Sequence, residues 1–170
     1  MLRVCAVVNQ SDPPHAALRP ASISVDPATM ERTRSASVIG RLGFKFDDTG
    51  FPDEEWSDFV VIVLAEWLKS VSALVDRRSK TEELSFMEGP YAVELRRTDS
   101  SPLLTLKAVA RTRRGSKIVV SDEVDGGQLL ERLVDAGHVV ADACREKNWN
   151  GTETSDLNAA LANAEALRHD

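Results

Sequence analysis

The sequence predicts an α+β fold, in which an antiparallel β meander carries long helices packed on one face. Between residues 83 and 122, four strand-like runs follow one another with links of only two to four residues. Consecutive strands with links this short must be antiparallel. Apolar residues with helical spacing precede the meander, between about 53 and 76, and follow it from about 128 to 147. A run of strands flanked by separate helices is typical of the α+β class.

Length and composition predict one domain spanning residues 1–170. Hydrophobic residues make up 42% of the 170 and charged residues 28%, which is ordinary for a globular protein and too apolar for a disordered one. The net charge of −6 disfavours partners rich in phosphate, so we expect neither nucleic acid nor an anionic membrane surface as a partner. No apolar run reaches the roughly 18 residues of a membrane-spanning helix.

The first part of the chain predicts an irregular segment over residues 1–20. Residues 9–20 contain three of the seven prolines, and the apolar start is shorter than the core of a secretory signal. We therefore expect a cytoplasmic protein whose two cysteines, Cys5 and Cys144, are reduced. Cys144 falls on an apolar-leaning helix and is expected to be a buried structural thiol.

Two strands are predicted after the irregular segment. Alternation indicates a short strand at 22–26 and a better candidate within 35–48. Phe44 should share a face with Phe46 in the second strand, while Gly40 and Gly43 indicate a bulge or a break into two strands.

The longest apolar pattern predicts a central helix from Asp53 to about Asp76. Residues 49–52 (TGFP) should stop the preceding strand, Asp53 suits an N-cap, and the acids after it suit the positive end of a helix. A buried strand over 59–64 (FVVIVL) is the alternative. The helical spacing continues for about 20 residues, which is too long for one strand. Apolar residues on nearly all sides predict that this helix is the central one.

The meander and two further helices complete the predicted fold. The four strands are predicted at 83–88, 91–98, 103–113 and 117–122. A second long helix follows Gly126 and Gly127 and runs to about 147. A last helix covers 153–170, with Thr154 or Ser155 as its cap.

Patterns that indicate catalysis are weak. The chain has no glycine-rich phosphate loop and no nucleophile elbow. His138, with Asp135 and Asp142 on one predicted helix face, could bind a divalent metal or form an acid–base pair. A surface histidine with helical charge partners explains the same spacing. Glu66, inside the apolar helix, is expected to form an ordinary ion pair with Lys69.

Two charged segments of opposite sign stand out. Residues 47–58 contain six acids and no base, with aromatic residues between them, while residues 96–117 contain seven bases against Asp99 alone. The acidic segment predicts a partner-binding edge with aromatic anchors. The residues assigned to this edge are Asp47, Asp48, Asp53, Glu54, Glu55, Trp56 and Asp58. Solvated charge, compensation within the monomer and contact between two copies are the alternatives. The basic strands lack the aromatic residues that stack on RNA bases.

Three segments resemble small bacterial proteins encoded beside polymorphic or contact-dependent toxins. The segments are 51–68 (FPDEEWSDFVVIVLAEWL), 86–91 (FMEGPY) with the meander after it, and 144–149 (CREKNW) before a short helix. The resemblance spans roughly residues 40–165 and rests mostly on core and turn positions. It implies an immunity protein, which is cytoplasmic and non-catalytic and holds a cognate toxin domain inactive by occluding it.

The favoured hypothesis is therefore a non-catalytic binding protein that neutralises a cognate bacterial toxin domain and needs no cofactor. One alternative is a small metal-dependent enzyme that uses His138, Asp135 and Asp142. Another is a structural subunit of a homo-oligomer, with a homodimer as the simplest form.

Overall fold

The computed structural model describes residues 21–168, in which antiparallel sheets and α-helices surround one hydrophobic core. The expectations for residues 1–20, including Cys5, and for residues 169 and 170 lie outside the described residues. The predicted α+β class is confirmed, as is the β meander. The described strands form two sheets rather than one.

The first sheet is built from the segment before the central helix. Its strands are β1 (Ser22–Arg32), β2 (Val38–Phe46), β3 (Thr49–Phe51) and β4 (Ser57–Asp58). The order is β1-β2-β3, and β4 also pairs with β2. β1 is longer than the predicted 22–26 and has a register shift between Asp26 and Glu31. Phe44 and Phe46 share the buried face of β2, as expected.

Of the two alternatives predicted at Gly40 and Gly43, the break into two strands is wrong, whereas the pairing of β1 with β2 is irregular opposite Gly40. The strand runs without interruption through Gly40 and Gly43, which pair with β4 and β1. Glycine is needed there because neighbouring groups approach closely. A Cβ at Gly40 would lie 2.9 Å from Met30 Cγ, and one at Gly43 would lie 2.9 Å from the Phe51 carbonyl oxygen.

The predicted start of the central helix is also wrong, because the sheet continues past it. Residues 49–51 form β3 instead of a stop, and α1 spans Val60–Val75 instead of starting at Asp53. The Leu42 N–H donates to the Trp56 carbonyl at 3.1 Å, and β4 pairs with β2. These sheet hydrogen bonds occupy the backbone groups that an earlier helical turn would need.

α1 is the central helix, as its nearly continuous apolar pattern predicts. Ten of its 16 residues are buried. It packs against β2 and β5 and against the two later helices. The strand alternative for residues 59–64 is therefore excluded, and apolar side chains on most of the helix circumference are explained by cover on several sides.

The meander follows α1 in the predicted order. Its strands are β5 (Thr81–Ser85), β6 (Tyr91–Arg97), β7 (Leu103–Thr112) and β8 (Gly115–Asp125), paired β5-β6-β7-β8. α2 spans Gly126–Glu146, and the Asp125 side chain caps it by accepting the Gln128 N–H at 2.9 Å.

The last helix, α3, spans Thr152–Ala166. It begins before the predicted cap residue Thr154, whose hydroxyl accepts the Gly151 N–H at 3.0 Å. α3 packs on both α1 and α2. Its buried face is formed by Leu157, Ala160, Leu161 and Ala164.

A network of aromatic rings joins the two sheets through α1. Seven of the nine aromatic residues belong to it. Trp67 of α1 lies in the middle, with its ring centroid 5.0 Å from that of Phe44 in the first sheet and 5.0 Å from that of Phe86 beside the second. The rings that complete the network are Phe46, Phe51, Trp56 and Tyr91.

Candidate functional site

Five of the seven residues predicted to contact a partner lie together on loops of the first sheet. Asp47 and Asp48 form the turn between β2 and β3, and Asp53, Glu54 and Glu55 lie in the loop between β3 and β4. All five are exposed. They are called the acidic edge below.

Short-range contacts hold the acidic edge against the sheet. The Asp53 carboxylate accepts the Glu55 N–H at 2.8 Å, a turn that fixes the loop between β3 and β4. That loop begins after Phe51, which pairs with Phe44 in the sheet. It returns to the sheet at Trp56, whose carbonyl accepts a hydrogen bond from the Leu42 N–H. The acidic side chains therefore project from a loop that is anchored at both ends.

Two bases beside the acidic edge offset part of its charge. Arg41 of β2 pairs with Glu55 at 2.9 Å. Lys45 lies with Asp53 and Glu54 around a depression of about 220 Å³. The segment 41–55 contains these two bases and five acids, which gives it a net negative charge.

Asp58 does not belong to that surface, and its assignment as a partner-contacting residue is corrected. The residue is fully buried. Its Oδ1 accepts the Phe59 N–H at 2.7 Å. Its Oδ2 accepts three more N–H groups, from Trp56 Nε1 at 3.1 Å, Met87 at 3.0 Å and Glu88 at 3.3 Å. The carboxylate thus ties the end of the first sheet to the link between β5 and β6.

Trp56 is a bridge between the acidic edge and the core. Its ring lies edge-on to Tyr91 at 5.1 Å and to Phe86 at 6.3 Å, while its indole N–H is held by Asp58. The side chain is half-buried, so only part of the ring can meet a partner.

Met87 and Glu88, in the link between β5 and β6, are tied to the first sheet through Asp58 and were not assigned as contact residues from the sequence. Both are exposed, and their N–H groups share the Asp58 carboxylate with Trp56. Met87 is 53% exposed, which is high for a large apolar side chain. The only sequence signal was the FMEGPY segment, which indicated a turn rather than a contact surface.

Two of the three residues of the metal-enzyme alternative are engaged with other partners, and the third, Asp135, is exposed on α2. His138 Nε2 lies 2.7 Å from Glu165 Oε1 of α3, and Asp142 pairs with Arg145 at 2.8 Å. Within residues 21–168, no group of three or more His, Cys, Asp or Glu side chains is arranged to hold a metal ion. The partner of His138 comes from a different helix, which spacing along α2 cannot reveal.

Two further expectations are confirmed, the ion pair of Glu66 and the burial of Cys144. Lys69 pairs with Glu66 at 2.7 Å. Cys144 is a buried thiol, and burial raises its pKa, so the reactive thiolate is disfavoured.

No helix in the described part of the chain is long and apolar enough to cross a membrane.

The outward face of the meander carries mixed charge rather than a uniform basic surface. Glu83 of β5 pairs with Arg111 of β7, diagonally across β6. Glu94 and Lys107 face each other on neighbouring strands. Acids from β5 and β6 therefore offset part of the basic charge that the sequence places between residues 96 and 117.

Replacing Glu83 with glutamine is expected to remove a pH-dependent contribution to stability. The hydrogen bond from Arg111 holds the pKa of the Glu83 carboxyl below its ordinary value of 4.5. Because the pKa is lowered on folding, the contribution is present above that value and is lost as the pH falls through the folded pKa. The gap in unfolding free energy between wild type and Glu83→Gln should therefore narrow on acidification.

The side chains of Arg111 and Glu83 are 44% and 38% exposed. The difference in unfolding free energy between wild type and Glu83→Gln should therefore stay below about 1 kcal/mol at neutral pH. Urea denaturation of both proteins at about pH 7 and about pH 3 measures it. In the Glu83→Gln background, Arg111→Gln should add no further pH dependence. An equal difference in unfolding free energy at both pH values would contradict the lowered pKa of Glu83.

Searches of protein-family models, curated proteins and solved structures find no match to this chain.

Proposed function

We propose that this protein is a non-catalytic binding protein that neutralises a cognate bacterial toxin domain by occluding it. The observation that carries the proposal is the acidic edge, five exposed acids on loops that are anchored to the sheet. An anchored surface loses little conformational entropy on binding, which favours tight occlusion.

The chemistry of the edge favours a basic partner surface. The net negative field attracts Lys and Arg side chains and speeds the encounter with them. Catalytic clefts that bind phosphate-containing substrates are lined by such bases, so acids on a fixed edge can take the place of phosphates there. Met87 supplies an exposed apolar side chain, and its N–H shares the Asp58 carboxylate with the Trp56 indole N–H.

The engaged state of His138 and Asp142 favours a binding role over the metal-enzyme alternative. His138 Nε2 is within hydrogen-bond distance of Glu165, so His138 would have to offer a metal its other ring nitrogen, Nδ1. Asp142 would have to leave Arg145 to join it.

Reversing two charges of the acidic edge is expected to slow association with the partner by about tenfold or more. The variant is Asp48→Lys with Glu54→Lys, since both residues are exposed and neither forms an ion pair within residues 21–168. Surface plasmon resonance at low and high salt measures the association rate, and the loss should shrink as salt rises.

Asp135→Lys with Glu146→Lys is the matched control, because it makes the same charge change on the exposed surface of α2. It should leave the association rate within about twofold of wild type. Equal rates for the edge variant and wild type would remove the acidic edge from the binding surface.

The partner itself is tested by co-expression. The proposal expects the reading frame directly upstream to encode a large secreted protein with a variable C-terminal domain. Expression of that domain alone should arrest growth, and co-expression of this chain should restore it. Growth arrest that persists, with both proteins folded and present, would overturn the proposed function.

A further inference from the structure

The outer strand of the meander has an open edge. Within residues 21–168, β8 is hydrogen-bonded to β7 on one side and has no strand on the other. β8 is 11 residues long, and most of its first half is exposed. A long exposed edge strand presents unpaired backbone groups that another strand can join.

Apolar side chains stand at the middle of this edge. Ile118 is 51% exposed and Val119 is 47% exposed. Val120 pairs with Ala108 and Ile118 pairs with Val109, which leaves Val119 as the extra residue of a β-bulge without a partner on β7. Exposed β-branched side chains on an edge are unusual, since edges are normally blunted by charge.

The charges of β8 have opposite signs at its two ends. The beginning is basic, with Lys117 and, in the turn before it, Arg113 and Arg114. The end is acidic, with Asp122, Glu123 and Asp125. None of these six side chains forms an ion pair within the described part of the chain.

This arrangement is self-complementary for an antiparallel copy. When two β8 strands run antiparallel about a two-fold axis near Val119 and Val120, the basic end of each meets the acidic end of the other. Opposite charges on facing strands are favourable, and like charges are unfavourable. An edge that is protected against pairing with a second copy carries like charges at the positions that would meet. In β8 the charges that would meet are opposite.

We propose that β8 is a homodimerisation edge, which pairs antiparallel with β8 of a second copy and joins the two meanders into one sheet of eight strands. Ile118 and Val119 lie at the centre of the interface, and Lys117 of each copy lies close to Asp122 and Glu123 of the other. This surface is separate from the acidic edge, so the dimer does not depend on the proposed function.

Charge-swapped variants test the proposal. In one, Arg113, Arg114 and Lys117 are changed to Glu. In the other, Asp122 and Glu123 are changed to Lys, and Asp125 is kept because it caps α2. Sedimentation equilibrium should give wild type a concentration-dependent dimer, and each variant alone should dissociate at least about tenfold more readily.

An equimolar mixture of the two variants is the decisive sample. The acidic strand of one variant faces the basic strand of the other at both ends, so the heterodimer should recover the wild-type affinity. A mixture that stays monomeric would overturn the proposal, as would variants that dimerise like wild type. Wild type that remains monomeric up to about 1 mM would also overturn it.

Hydrogen exchange of the unmodified protein gives a readout that needs no variant. Amides of residues 116–121 should exchange more slowly at high than at low protein concentration, because pairing buries the edge. β5, the other edge of the same sheet, is the internal control. Its Glu82 and Glu83 carry like charge near the strand centre, so its exchange should not change with concentration. Equal behaviour of the two edges would contradict the assignment to β8.

Discussion

Replacing Asp58 with alanine is expected to lower the free energy of unfolding by at least about 3 kcal/mol. The change removes one buried carboxylate that accepts four N–H groups. A buried donor left without an acceptor costs about 1–3 kcal/mol, and the hydrogen bonds that Asp58 accepts from Trp56, Met87 and Glu88 are all partly buried. Urea denaturation followed by circular dichroism measures the loss.

Two variants separate this effect from a general effect of acid removal. Asp58→Asn keeps one acceptor oxygen and should lose less than the alanine variant. Glu54→Ala removes an exposed acid four residues earlier and should stay within about 0.5 kcal/mol of wild type. If Asp58→Ala behaved like Glu54→Ala, the carboxylate would not hold the two sheets together.

Replacing Trp67 with alanine is expected to cost about 3–5 kcal/mol of unfolding free energy. Trp67 is 1% exposed, and its ring lies between Phe44 and Phe86. Its indole N–H donates to the Ser85 carbonyl at 3.0 Å. The truncation therefore leaves a cavity where both sheets meet α1 and an unpaired carbonyl at the end of β5. Thermal and urea denaturation should both show the loss.

Trp67→Phe isolates the hydrogen bond, because it keeps an aromatic ring and removes the N–H. Its loss should be smaller, roughly 1–3 kcal/mol. Trp149→Ala is a second control, since Trp149 is half-buried and lies beside Lys147 at the surface. Equal losses at Trp67 and Trp149 would contradict the central position of the aromatic network.

Most of the candidate site could be predicted from the sequence, because its acids lie in turns. Asp47, Asp48 and Asp53 are turn residues, and charged turn residues lie at the surface in almost every fold. Asp58 has the same charge in the same segment, yet it is buried. The donors that make its burial possible, Met87 and Glu88, come 29 and 30 residues later. No local pattern can distinguish such an acid from its exposed neighbours.

The resemblance to immunity proteins and the function drawn from it remain predictions. The acidic edge supplies a surface on which they can be tested. The homodimer proposed for β8 occupies a different strand of the other sheet, so the two sets of variants report on separate properties of the molecule.

Periodicity and short links predicted the α+β class, the central helix, the order of the meander and the two late helices, because these are local properties of the chain. The start of α1, the separate sheet of the early strands and the burial of Asp58 could be learned only from the folded molecule. Each of these depends on hydrogen bonds or packing between residues distant in sequence, such as β4 with β2 and Trp67 with Phe86. Backbone groups pair with whichever partner the fold brings near, and that competition overrides local helix signals.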